Sequence, residues 1–177
     1  MAVRKFHDKL GFCAKGEVKT GGLCSGTIFR TSAFMKLPQD ARSGARQTQT
    51  VHIEHTVPAN VLARELAGHL SSETDWAMAW LFKHSVTTAM RKGQDREYLN
   101  GVTRTTSAFD SGAVEEGKPF ERYRALFDAG ETVWDVWNRR IVDPSELTFA
   151  NHFDTILSVL AAAGADRNFI RRLEATR

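Results

Sequence analysis

Apolar and polar positions alternate most cleanly between Thr50 and Val57. Val51, Ile53 and Val57 fall on one side with His55 in their register, and Thr50, His52, Glu54 and Thr56 fall on the other. A period of two is the signature of a β-strand. Pro58 ends this one and pre-sets the backbone for a helix over 58–70. A second strand is expected between Gly26 and Met35, ended by Pro38, and the polar, basic stretch from Pro38 to Thr50 reads as a loop. The helical period is strongest over 74–92. Ser72 and Asp75 have capping-box spacing, Trp76, Trp80, Leu81, His84, Ala89 and Met90 follow, and Gly93 sits where a helix would end. Residues 102–118 read as loop and 120–127 as a short helix. Residues 131–142 read as a hairpin turning at Asn138-Arg139. Asp143-Pro144 is a helix start for 145–163, which Gly164 ends, and Asp166 caps a last helix over 167–176. The pattern predicts an α+β fold: a small antiparallel β region and a hairpin packed with about four helices.

Composition bounds what such a chain can be. Its 177 residues, 42% apolar and 25% charged, suit one globular domain over 1–177. No apolar run approaches the roughly 20 residues needed to cross a bilayer. The basic N-terminus has no apolar stretch behind it, so a cytosolic protein without a secretion signal is expected. Charge is uneven: residues 1–50 carry nine Lys/Arg against three Asp/Glu, while 51–177 carry 15 against 18. A basic front segment leading into the core suits a polyanion such as DNA. Arg42, Arg46, Arg139 and Arg140 are the candidate phosphate contacts, with solvated surface charge as the alternative. Cys13 and Cys24 are expected to be reduced thiols. Their spacing is not a standard zinc knuckle, but with His7 or His52 they are candidate zinc ligands. No phosphate-binding Gly-Lys loop, serine elbow or dinucleotide fingerprint is present.

The densest chemistry lies in His52-Ile53-Glu54-His55-Thr56-Val57-Pro58. A histidine with an ordinary pKa near 6.5 can accept a proton from water at neutral pH. A neighbouring carboxylate can hold a divalent cation against a phosphate. Inside a regular strand, adjacent side chains face opposite sides, so the two can cooperate only if the chain bends at or just after Glu54.

The element Glu54-His55-Thr56-Val57-Pro58 resembles the first motif of the His-Me finger, or HNH, nucleases. The resemblance covers this segment alone. It implies a ββα-metal core and a DNA endonuclease of phage, mobile-element or restriction type. It makes His55 the general base and Glu54 a ligand of a single Mg²⁺ or Mn²⁺. It also implies an asparagine or histidine on a following helix to complete the metal site, and His84, Asn100 and His152 are the candidates. His84 and His152 each fall on an apolar helix face, where a hydrogen-bonded core histidine is the alternative, and Asn100 before Gly101 also suits a turn. A homodimer is compatible with this reading. The rival is a non-catalytic nucleic-acid- or protein-binding module, stabilised by zinc or not.

Overall fold

A computed structural model of the chain describes residues 27–42, 47–69, 73–99 and 118–176. The architecture is mixed α and β, with short helices around one five-stranded sheet. In chain order the strands are β1 (Phe29–Thr31), β2 (Val51–His55), β3 (Thr87–Arg91), β4 (Val133–Asp135) and β5 (Arg140–Ile141). They lie in the order β2-β3-β1-β4-β5. Only β1 and β3 run parallel, and the other pairings are antiparallel.

The register assigns each side chain to a face, because directly paired residues project to the same side. One face carries Phe29, Met90 and Val133, with His52 and Glu54 at its β2 end. This is the main core, filled from above by Val61 and Leu62 of α4 (Ala59–Gly68), Trp80 of α5 (Thr74–His84), and Phe153 and Ile156 of α8 (Phe149–Ala162). The other face carries Val51, Ile53 and Ala89 and is covered by Phe34 of the single-turn helix α1 (Ser32–Met35). Two more turns, α2 (Gln39–Arg42) and α3 (Gln47–Thr50), precede β2 in the stretch expected to be loop.

The long helix expected over 74–92 is two elements. α5 stops at His84, and after Ser85 and Val86 the chain enters β3. Its β-branched run, Val86-Thr87-Thr88, loses side-chain freedom in a helix and packs well on a sheet. Pairing with both β1 and β2 then decides the outcome. Gly93, at φ +98°, makes the turn from β3 into α6 (Gln94–Leu99) instead of ending a helix.

The helix expected from 145 begins later, at Phe149. Asp143 closes a local turn, accepting from the Ser145 N–H at 2.8 Å. Thr148 is the true N-cap: its hydroxyl accepts from Asn151 N–H while Asn151 Oδ1 accepts from Thr148 N–H. Thr148→Ala is expected to cost about 1 kcal/mol, read as a lower urea midpoint with an unchanged slope.

The 3₁₀ turn Glu121–Tyr123, α7 (Arg124–Asp128), the β4–β5 hairpin and α9 (Arg167–Glu174) match the sequence reading closely. Gln94 fastens α6 to the sheet. It accepts from the Thr31 hydroxyl at 2.8 Å and donates to Glu131 at 2.8 Å, and Glu131 accepts from Ala33 N–H at the start of α1. No described helix is long and apolar enough to cross a membrane.

Candidate functional site

β2 is the terminal strand of the sheet among the described residues, and its ladder with β3 is unbroken through His55. Glu54 is paired with Thr88 and His55 with Thr87, so the two side chains leave the strand on opposite faces. The bend comes at Thr56-Val57, after His55. His55 therefore shares the face of Ile53, and the imidazole on Glu54's own face is His52.

The polar cluster forms around Glu54. Its Oε2 lies 2.9 Å from His52 Nε2, and its Oε1 accepts from Arg122 Nη1 at 3.2 Å. The same Nη1 donates to the backbone oxygen of His55 at 2.8 Å. Arg122 thus folds over the end of β2, and its side chain is only 5% exposed. Asp95, in the first turn of α6, adds a second carboxylate 3.8 Å from His52. The hydrogen bond to Glu54 raises the His52 pKa above its ordinary value, burial opposes this, and the charge of Asp95 adds to the rise. Beneath the cluster sits Tyr123, fully buried. Burial first, and the Glu54 charge second, push its phenol up. Its hydroxyl and that of Thr88 are both buried and neither makes a hydrogen bond among the described residues.

The other expected ligands are used elsewhere. His84 and His152 are both buried, and both serve the C-terminal end of α5. His84 Nδ1 lies 2.9 Å from the Trp80 oxygen, and His152 Nδ1 lies 3.0 Å from the Lys83 oxygen. The last carbonyls of a helix lack intrahelical donors, and the His152 imidazole supplies one to Lys83, whereas His84 adds a second partner to a carbonyl already inside the helix ladder. Burial pushes His84 down to about 3 and His152 down to about 4, so both rings are neutral at pH 7. Their rings pack on Trp80, Phe149 and Phe29, and neither joins Glu54 in a hydrogen bond or ion pair. Among the described residues, no three His, Cys, Asp or Glu side chains come together as a metal-holding group.

Asn100, Arg46, Cys13 and Cys24, with His7, lie outside the described residues. Arg42 is half-buried on α2. Arg139 and Arg140 are exposed at the tip of the β4–β5 hairpin, where Arg139 adopts φ 55°. Sequence reasoning missed Arg122, Tyr123, Asp95 and Thr88 as companions of Glu54. Nothing local marks the first two, because Arg122 reaches Glu54 across a sequence separation of 68.

No family model, no curated protein and no solved structure matches this chain.

Proposed function

We propose that the chain is a metal-dependent endonuclease that hydrolyses DNA phosphodiester bonds, with β2, β3 and α6 as its ββα element. One observation carries the reading. The Glu54-His55 pair ends the first of two antiparallel strands, α6 follows the second directly, and a carboxylate of that helix, Asp95, stands in the same polar cluster as Glu54. Such an order is what the sequence resemblance implies. Asn100 follows the last residue of α6 in the chain. Among the three candidate partners it is favoured over His84, which bonds the Trp80 oxygen of its own helix, and His152, which caps α5 at Lys83.

The donor set fits a hard divalent cation in kind, since Glu54 and Asp95 offer carboxylate oxygens of the sort Mg²⁺ and Mn²⁺ prefer. Both Glu54 oxygens already have partners, so a cation competes with His52 for Oε2. When bound, it would offset the negative charge that develops on the scissile phosphate. The base in this reading is His55. Because it faces away from Glu54 in the regular strand, the end of β2 must turn one residue earlier when substrate binds. If it does not, His52 is the imidazole that shares Glu54's side.

Nicking of supercoiled plasmid tests this. With Mg²⁺ or Mn²⁺ the protein is expected to nick, and chelation to stop it. Glu54→Ala and His55→Ala are each expected to slow cleavage roughly 10²–10⁴-fold while gel-shift binding persists. Loss on His52→Ala alone moves the base to His52. Absence of cleavage with any divalent ion, or cleavage indifferent to Glu54→Ala, sinks the proposal.

The closed ion pairing of Glu54 with Arg122 and His52 favours a second reading, a non-catalytic nucleic-acid-binding module. Plasmid bound but never cut is its signature.

A further inference from the structure

Thr88 lies directly opposite Glu54 in the β2–β3 ladder. Directly opposed side chains leave on one face with their Cβ atoms roughly 5 Å apart, so the Thr88 hydroxyl stands beside the Glu54 side chain. Thr88 is completely buried, and its hydroxyl has no hydrogen-bond partner among the described residues. Tyr123 is in the same condition: its ring is completely buried and its hydroxyl is unpartnered. After burial itself, the charge of Glu54 is the strongest influence on that phenol, ahead of the charges of Arg122 and Asp95. Three buried hydroxyls lack partners among the described residues, and these are two of them, set against one carboxylate.

Folded proteins seldom bury a hydroxyl without a partner, because each one left unsatisfied costs about 1–3 kcal/mol. Two at a single carboxylate mark a place where a further polar group belongs. Hydroxyl and carboxylate oxygens are the hard donors that Mg²⁺ and Mn²⁺ take, and a threonine hydroxyl is an established kind of Mg²⁺ ligand. Arg122 holds Oε1 of Glu54. The oxygen left for a cation is Oε2, which faces His52 Nε2 at 2.9 Å, and Asp95 Oδ2 faces the same nitrogen at 3.8 Å. We infer that Thr88 Oγ1 is a further ligand of the divalent cation that Glu54 and Asp95 hold, and that the Tyr123 hydroxyl hydrogen-bonds one of the waters such a cation keeps. The inference rests on the metal site proposed above, but not on cleavage of DNA.

The probe is Mn²⁺ without DNA, followed by the electron paramagnetic resonance signal of the free ion. The full chain is expected to bind the ion and to melt at a higher temperature with it than in EDTA. Thr88→Val keeps the shape and the β-branching and removes the hydroxyl. It is expected to weaken Mn²⁺ binding roughly 10- to 100-fold. In EDTA it is expected to melt no lower than the parent, because the group lost has no partner in the fold. Thr88→Ser returns the hydroxyl and is expected to restore most of the affinity. Tyr123→Phe is expected to weaken binding less than Thr88→Val does.

A parent chain that binds no Mn²⁺ overturns the inference. So does a Thr88→Val protein that binds as tightly as the parent, or one that melts lower than the parent in EDTA. Binding lost in Glu54→Gln but intact in Thr88→Val removes Thr88 and leaves the metal site of the nuclease reading standing. Binding that depends on Thr88, in a protein that never nicks plasmid, supports the inference and ends the nuclease reading.

Discussion

Lowering the pH from 7 to 5 is expected to remove roughly 3–4 kcal/mol of folding stability through His84 and His152 alone. Both rings are buried and neutral, with pKa values pushed down to about 3 and about 4. In the unfolded chain each returns to about 6.5. Below that value the unfolded state binds protons that the folded state refuses, so stability falls as the pH falls. The loss begins near pH 6.5 and continues to about 4 for His152 and about 3 for His84.

His52 acts with the opposite sign. Its raised value makes its contribution full at low pH and lost as the pH rises through the folded value, but the ring is 36% exposed and solvent screens the effect. Urea midpoints at pH 7, 6 and 5 measure the sum. His84→Asn and His152→Asn keep a short N–H donor and remove the titration, so each is expected to halve the slope. A midpoint that does not move between pH 7 and 5, or a slope both variants leave intact, shows that the rings are not the acid-sensitive groups.

The second large effect is expected at Arg122. Its guanidinium is 5% exposed and links the Glu54 carboxylate to the backbone oxygen of His55. Arg122→Met retains the apolar stem but removes the donor to Glu54 Oε1 and to that carbonyl, leaving Glu54 with His52 alone. Removing one member of a buried pair costs about 3–5 kcal/mol. Glu54 is 22% exposed and can recover some hydration, so a cost near the lower end, about 3 kcal/mol, is expected. Adding Glu54→Gln removes the uncompensated charge and is expected to recover about 1 kcal/mol of that loss. An Arg122→Met protein within about 0.5 kcal/mol of the parent, the scatter of ordinary surface changes, refutes the role.

Elements with local signals were legible in the sequence. β2 alternates, the β4–β5 hairpin has its turn at Asn138-Arg139, and Asp166 caps α9 through its own side chain. What failed had a non-local cause. Ala89 and Met90 keep the helical spacing of α5, and the β-branched run Val86-Thr87-Thr88 becomes decisive only through its pairing with β1 and β2. The start of α8 was misplaced because Asp143-Pro144 carries a turn signal as good as a cap, a few residues before the cap itself. At the site, Glu54 and His55 could be singled out by residue type. The separation of their side chains follows from the ladder with β3, and the partnership of Glu54 with Arg122 and Asp95 follows from the packing of α6 and the 3₁₀ turn. None of that is encoded within reach of residues 52–58.

The strand order also governs when the fold can assemble. The central strand, β1, is drawn from the first third of the described chain, yet its two neighbours are β3 and β4, so Phe29 must find both Thr88 and Asp135. On a ribosome, Phe29 and Ile28 would emerge long before either neighbour exists, and they would wait as a sticky, half-made ribbon. Closing such distant pairings is slow, and unpaired strand edges invite aggregation in the interval.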